Sequence, residues 1–173
     1  MIAILHNIRS LHNVGSIFRT ADAAGVEKIY LTGITPGPVD VFGRLRQQLT
    51  KVSLGAEKYV EWEKVGSASS PQATTRLIDK LRRDGYKILA IEQNKKSIPY
   101  YRIHLSFRRS SNRQVKIALV FGNEIKGLPL SILKRADKIL EIPMKGRKES
   151  LNVAVAFGII VFHIINQYKT TRI

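Results

Sequence analysis

Cysteine is absent from the 173-residue sequence. Its absence excludes disulfide bonds, thiol nucleophiles and zinc sites built from thiolates, and it is typical of a protein in a reducing compartment such as the cytoplasm. Histidine is sparse: His6, His12, His104 and His163 include no pair spaced four residues apart, as two metal ligands on one helix face would be. We therefore expect no metal site.

Acidic residues are few, with 13 Asp and Glu against 29 Lys and Arg, which gives a net charge of +16. The excess is uneven: residues 1–50 hold five basic against three acidic side chains, and residues 101–150 hold twelve against four. A field of one sign favours a polyanionic partner, above all nucleic acid. A basic soluble protein without such a partner is the alternative. An acidic membrane surface is a weaker one, because no basic amphipathic helix is evident.

Targeting and membrane signals are also missing. The opening residues, M-I-A-I-L-H, lack the basic region, long apolar region and cleavage site of a signal peptide. Residues 150–168 form the longest run without a charged residue, but a spanning helix needs about 20 apolar residues, and this run contains Asn152, His163 and Asn166. We expect a helix of the protein core here.

Short apolar runs alternate with helix-like stretches throughout the chain. Asn13 and Pro71 are predicted to start helices, and Gly25 and Gly85 to end them. The alternation predicts a single α/β domain over residues 1–173, with a mostly parallel sheet covered by helices on both faces. The predicted strands are 2–5, 28–31, 58–62, 86–92, 116–121 and 139–142; the predicted helices are 14–24, 42–49, 71–83, 129–135 and one from about residue 150.

Ligands of such sheets bind at the carboxyl ends of the strands, which directs attention to residues 6–19, 121–128 and 143–152. The first segment holds Asn13 and Arg19, and the forked guanidinium of arginine suits phosphate. Taken alone, this segment is better explained by a capping asparagine and a surface arginine than by a binding site. The third segment has a basic glycine loop, followed by Ser150 and Asn152 near a helix start, where unpaired N–H groups are available. Taken alone, Ser150 is better explained as a simple helix cap.

The second segment reads L-V-F-G-N-E-I-K-G-L-P. Gly122 allows a close approach of the backbone to a ligand, and Glu124 is an isolated acid in a basic region. The segment contains neither the G-x-x-x-x-G-K-[ST] pattern of a P-loop nor the G-x-G-x-x-G pattern of dinucleotide-binding folds. A simple turn after a strand is the alternative interpretation.

Together, the three segments resemble the ordered motifs of the SpoU/TrmH-type RNA 2′-O-ribose methyltransferases of the SPOUT superfamily. The matching stretches are N-V-G-S-I-F-R-T-A (13–21), V-F-G-N-E-I-K-G-L (120–128) and I-P-M-K-G-R-K-E-S-L-N-V-A-V-A (142–156). The resemblance implies an α/β fold with a deep C-terminal trefoil knot, S-adenosylmethionine as cofactor, and a homodimer whose active site draws residues from both subunits. The sequence departs from the usual pattern of this family at Glu149 and Ala154.

The resemblance also implies roles for individual residues. Glu92, Gly122, Ile142 and Leu151 fall at positions of the cofactor pocket. The catalytic positions are Asn13, Arg19, Glu124, Ser150 and Asn152.

RNA is the expected substrate, with tRNA favoured over rRNA, and a non-catalytic RNA-binding protein that keeps the fold is the alternative. Since the first motif begins about ten residues into the sequence, we expect the catalytic domain itself, without a separate RNA-binding extension, to grip the RNA. The predicted phosphate contacts are Arg44, Arg46, Arg108, Arg109, Arg113, Lys145, Arg147 and Lys148.

Overall fold

The computed structural model describes residues 1–66, 72–104 and 115–170 of the chain. Strands and α-helices alternate through these ranges, as predicted, except that no α-helix is described between Ile91 and Ile117. The strands are β1 (Ile2–His6), β2 (Lys28–Thr32), β3 (Glu61–Val65), β4 (Lys87–Ile91), β5 (Ile98–Pro99), β6 (Ile117–Phe121) and β7 (Lys138–Glu141). The helices are α1 (Leu11–Ala24), α2 (Gln47–Ser53), α3 (Gln72–Arg83), α4 (Leu130–Leu133) and α5 (Val153–Thr170).

The strands form one sheet in the order β3-β2-β1-β6-β4-β7-β5, and every pairing between them is parallel. All five residues of β1 and all five of β6 are buried, because helices cover both faces of these central strands. The predicted α/β class, with a mostly parallel and doubly covered sheet, is confirmed.

Alternate residues of the central strands supply two separate cores. On one face, Phe121 packs against Phe157 of α5, with ring centroids 5.1 Å apart, and α1 and α2 complete this core. On the other face, Val120 joins a core made with α3 and α4. Burying one side chain of this size stabilises the fold by about 1.5–3 kcal/mol. Both faces of the central strands are therefore buried in a core, which explains the continuous apolar runs in the sequence.

Several predicted boundaries are wrong. The helix predicted over residues 42–49 is α2, at Gln47–Ser53, because the carboxylate of Asp40 accepts hydrogen bonds from the backbone N–H groups of Phe42 and Arg44 and holds a turn there. The strand predicted over 58–62 is β3, at Glu61–Val65, and a short 3₁₀ turn precedes it. The two-residue strand β5 was not predicted.

Two predicted helix ends are confirmed by left-handed glycines, Gly25 with φ 70° and Gly85 with φ 86°. The predicted start of α3 at Pro71 lies outside the described residues, as do Arg108, Arg109 and Arg113. None of the helices in the described ranges is both long and apolar enough to cross a membrane.

Candidate active site

The three segments singled out in the sequence follow β1, β6 and β7, and they meet at the carboxyl edge of the sheet. Asn13 does not cap α1, in contrast to the prediction. Ser10 is the cap, and its hydroxyl accepts a hydrogen bond from the backbone N–H of Asn13 at 3.2 Å. Because Ser10 takes the capping role, the side chain of Asn13 in the first turn is left for other contacts.

The side chain of Asn13 connects all three segments. Its Nδ2 donates to Oε1 of Glu124 at 2.7 Å, and its Oδ1 accepts from Nδ2 of Asn152 at 3.0 Å. These contacts join residues 111 and 139 positions apart in sequence. The structure therefore brings together three of the five residues predicted as catalytic, and it fixes the orientation of the Asn13 amide from both ends.

Asn152 has a second role as the cap of α5. Its Oδ1 accepts from the backbone N–H of Ala154 at 2.8 Å, and its carbonyl accepts from Ala156 at 3.0 Å. The helix therefore starts at Val153, three residues later than the predicted start near Ser150. Ser150 is exposed and lines a cavity beside these contacts.

Arg19 stands apart from the other predicted catalytic residues. It lies on α1, its side chain is exposed, and no hydrogen bond or ion pair joins it to another residue within the described ranges. It lies six positions after Asn13, and six steps of about 100° turn the two side chains to different faces of the helix. Within one chain, the guanidinium of Arg19 therefore does not join the hydrogen bonds that Asn13 makes with Glu124 and Asn152.

A cavity of about 300 Å³ opens beside the Asn13 contacts, between the loops that follow β4, β6 and β7. All four residues predicted to bind a cofactor line it, together with Glu124 and Ser150. Apolar walls come from Ile91, Phe121, Ile142, Leu151 and Val153.

The charge of the cavity is opposite to that of the protein. Among the described residues that line it are four carboxylates and no lysine or arginine, in a chain with a net charge of +16. Such a cavity favours a cationic ligand. The four carboxylates are Glu92, Glu124, Glu141 and Glu149.

Glu92 braces the loop after β6. Its Oε2 accepts from the backbone N–H of Leu128 at 2.6 Å, and its Oε1 accepts from that of Gln93 at 3.0 Å. The side chain of Gln93, which the sequence did not single out, donates to the carbonyl of Ile142 at 2.8 Å. These contacts tie the end of β4 to the loops on either side of the cavity.

Gly122 has a structural role in addition to the predicted approach to a ligand. A Cβ atom there would lie 2.8 Å from the carbonyl carbon of Gly127 and 2.9 Å from the backbone nitrogen of Leu128. The loop after β6 folds back onto its own start, and only a residue without a side chain fits beneath it. The fold-back presents Glu124 to Asn13.

Asn123 anchors the same loop and was not predicted. Its Nδ2 donates to the carbonyl of Asn7 at 2.9 Å, and its Oδ1 accepts from the N–H groups of Ile125 and Lys126. Asn7 adopts a left-handed conformation, with φ 59°, directly after β1. The pair of glycines around Asn123 indicated a turn, but no local signal indicated a partner 116 residues away.

Five of the predicted phosphate contacts lie among the described residues. Lys145, Arg147 and Lys148 are exposed on the loop between β7 and α5, and Arg44 is exposed on the turn before α2. Arg46 is half-buried, with its Nε donating to the carbonyl of Val39 at 3.3 Å. The five are available for phosphate contacts outside the acidic cavity.

Within the described ranges, no group of three or more His, Asp or Glu side chains is arranged to hold a metal ion.

Comparison with known proteins places these features in context. Residues 1–162 match the SpoU rRNA Methylase family. A tRNA (guanosine(18)-2′-O)-methyltransferase of Aquifex aeolicus is 30% identical over 167 residues, which cover 96% of this chain and 69% of that protein.

Two solved structures extend the comparison. The A. aeolicus TrmH/SpoU tRNA modifying enzyme superposes with a TM-score of 0.77 at 28% identity, covering 98% of this chain and 76% of that one. An AdoMet-bound rRNA methyltransferase of Sinorhizobium meliloti superposes with a TM-score of 0.78 at 28% identity, covering 96% and 56%. This chain therefore spans little more than half of the second protein.

Proposed function

Because the chain belongs to the SpoU rRNA Methylase family, we propose that it transfers a methyl group from S-adenosylmethionine to a ribose 2′-hydroxyl of RNA, with tRNA as the favoured substrate. The name of the A. aeolicus relative supports tRNA, whereas that of the S. meliloti structure supports rRNA. Within this chain, the observation that carries the proposal is the hydrogen-bonded series Glu124–Asn13–Asn152 at the mouth of an acidic cavity.

The cavity fits S-adenosylmethionine in chemistry. Its apolar walls, among them Phe121, Ile142 and Leu151, suit an adenine ring, and its carboxylates suit the sulfonium and ammonium groups. Bound there, S-adenosylmethionine supplies a methyl group that is already strongly electrophilic. Gly122, Ile142 and Leu151 form the walls, and Glu92 holds the loop that shapes them.

The remaining task of the protein is to activate a weakly acidic hydroxyl. Correct positioning supplies about 7–11 kcal/mol in favourable cases. Arg19 is not the base, because a guanidinium stays protonated in proteins. In our proposal, Arg19 anchors an RNA phosphate, and that phosphate accepts the proton of the 2′-hydroxyl.

The linked amides define how the other residues act. Glu124 holds Asn13, and Asn13 holds the side-chain amide of Asn152. With these partners in place, Asn152 and the exposed Ser150 are oriented toward a ribose at the cavity mouth. The role of Glu124 is to organise this edge of the cavity.

A homodimer would bring Arg19 into use. Leu151, Val155 and Phe162 are 38%, 52% and 44% exposed, and Val155 and Phe162 lie on one face of α5 at a spacing of seven residues. In our proposal, this apolar face packs against a second copy, and the exposed Arg19 of one subunit acts at the cavity of the other.

The C-terminal knot of the family is also part of the proposal. The strand order, which sets β4 between β6 and β7, supports it.

Incubation with methyl-labelled S-adenosylmethionine and separate pools of unmodified tRNA and rRNA tests the function. We expect label in tRNA, at a single ribose position that mass spectrometry identifies. Label in rRNA alone would move the substrate to that class. Binding of RNA without any S-adenosylmethionine binding by calorimetry would support a non-catalytic RNA-binding protein.

The role of Arg19 is tested separately. Arg19→Ala should abolish most methyl transfer while RNA binding is largely kept, and Arg19→Lys should recover little, because an ammonium does not reproduce the bidentate fork. Near wild-type transfer by Arg19→Ala would contradict the assignment. Sedimentation of the wild-type chain establishes whether the dimer forms.

A further inference from the structure

The turn before α2, residues 38–46, exposes more apolar surface than folding requires. Val41, Phe42 and Leu45 are 89%, 77% and 59% exposed, and they lie within five residues of one another. Single exposed apolar side chains are common, but a contiguous group of them marks a surface that contacts something else.

This turn is held in one shape by its own hydrogen bonds. Oδ1 of Asp40 accepts from the N–H groups of Phe42 and Arg44, each at 2.9 Å, and Gly43 takes φ 77° between them. The N–H of Arg46 donates to the carbonyl of Pro38 at 2.8 Å, which closes the base of the turn. The ring of Phe42 is therefore presented on a formed support, and little ordering is needed when a partner binds.

The chemistry around the ring is that of a nucleobase contact. The guanidinium carbon of Arg44 lies 5.3 Å from the centroid of the Phe42 ring, and Arg46 follows on the same turn. Proteins recognise unpaired bases by stacking them on aromatic rings and on guanidinium planes. The one acidic residue, Asp40, has Oδ1 engaged with the backbone of the turn itself.

The turn is connected rigidly to the helix that carries Asn13 and Arg19. α2 follows the turn directly and packs against α1 so closely that a Cβ atom at Gly15 would lie 2.6 Å from the carbonyl oxygen of Leu49. The turn also follows β2, which pairs with β1, so it leaves the same edge of the sheet as the first motif.

We propose that the ring of Phe42 stacks on an unpaired base of the RNA substrate while Arg44 contacts that nucleotide's backbone. The proposal rests on the proposed function and adds to it that the substrate presents an unstacked nucleotide near the methylated ribose. The excess of arginine over acid on the turn favours RNA over a second copy of this basic chain.

The experiment compares three variants of the full chain, Phe42→Ala, Phe42→Leu and Phe42→Tyr, in binding to an unmodified tRNA transcript pool at fixed salt. We expect Phe42→Ala and Phe42→Leu to bind about 5- to 150-fold more weakly, the range for losing one stacked base. Phe42→Tyr should bind like wild type, because it keeps the ring. Ultraviolet crosslinking followed by mass spectrometry should recover a nucleotide on the peptide that contains Phe42.

Tyr59 supplies the matched control, since it is 78% exposed but lies outside the turn. Tyr59→Ala should bind tRNA within about two-fold of wild type, the ordinary scatter of a surface substitution. Calorimetry with S-adenosylmethionine should give wild-type affinity for all four variants, which shows that they are folded.

Two results would overturn the inference. Wild-type tRNA affinity for Phe42→Leu would show that no ring is needed, and conversion of Phe42→Ala to a monomer in sedimentation would assign the turn to contacts between copies. If the wild-type chain methylates RNA while Phe42→Ala binds normally, only this inference fails. If the wild-type chain neither binds nor methylates RNA, the proposed function fails with it.

Discussion

Asn13 donates a 2.7 Å hydrogen bond to Glu124, although 111 positions separate the two residues in sequence. The same amide accepts from Asn152, so the first, second and third motifs are joined through one side chain. Because Glu124, Asn13 and Asn152 are joined in this way, the contribution of each one to the reaction should depend on the other two.

Methyl transfer by variants of Asn13 and Glu124 should show that interdependence. Asn13→Ala and Glu124→Ala should each lower methyl transfer, and the double variant should lose less than the sum of the two, with a coupling of about 0.5–3 kcal/mol. Single-turnover methyl transfer at saturating S-adenosylmethionine provides the measurement. Fully additive effects would mean that the hydrogen bond does not contribute to the reaction.

Ser10 should matter for stability rather than for chemistry. Its hydroxyl caps α1, and its replacement by alanine should lower the free energy of unfolding by about 0.5–2 kcal/mol. Urea titration followed by circular dichroism gives the value. Ser16→Ala, within the same helix, is the control and should change it by less than about 0.5 kcal/mol. Equal effects at the two positions would contradict the role of Ser10 as the cap of α1.

Gly122 and Gly146 form a matched pair for substitution by alanine. A Cβ atom at Gly122 would meet the backbone of residues 127 and 128 at under 3 Å, whereas one at Gly146 would meet nothing within 4 Å. Gly122→Ala should therefore cost about 1–3 kcal/mol of stability and weaken S-adenosylmethionine binding, and Gly146→Ala should do neither. Unfolding curves and calorimetry on both variants test this, and a harmless Gly122→Ala would contradict the fold-back of the loop.

The buried His6 should make the fold sensitive to mild acid. Burial lowers its pKa below the ordinary value, and the Nδ2 group of Asn7, 3.0 Å from Nε2, donates to a neutral ring. The unfolded chain therefore binds a proton near pH 6.5 before the folded chain does, and stability should fall as the pH drops below about 6.5.

Urea unfolding at about pH 7.5 and about pH 5.5 measures this loss. His6→Gln should show a smaller loss between the two values, although His163, whose pKa burial also lowers, will leave part of it. A loss in His6→Gln as large as that of the wild-type chain would be incompatible with a neutral His6 in the fold.

RNA affinity should depend steeply on salt. The exposed Arg147 and Lys148 are candidates for phosphate contacts, and each contact removed should lower the slope of log affinity against log salt by about 0.7–0.9. Filter binding of tRNA from 50 to 300 mM salt, roughly the range in which such slopes are measured, compares wild type with the double alanine variant. Identical slopes would place both residues outside the interface.

The sequence predicted the class of fold because apolar strands such as Ile117–Phe121 are buried on both faces, and that requires helices on both sides. It also predicted which segments would meet, since parallel strands share one carboxyl edge. The order of the strands, with β4 between β6 and β7, has no local signal in the chain.

Some details of the site could not be predicted because two residues suit the same local role. Serine and asparagine are both good helix caps, so the sequence alone does not distinguish Ser10 from Asn13 as the cap of α1. The bond from Asn123 to the carbonyl of Asn7 depends on the complete fold. The acidity of the cavity also arises only on folding, because its four glutamates are scattered through a basic sequence.

The series Glu124–Asn13–Asn152 has a consequence for the time at which the site forms during synthesis. Asn13 leaves the ribosome early, but its second partner is made 139 residues later. Domains fold as units once enough chain is available. A nascent or truncated chain that ends before residue 152 therefore carries two of the motifs without the partner that orients them, and we expect methyl transfer to be confined to chains synthesised past that point.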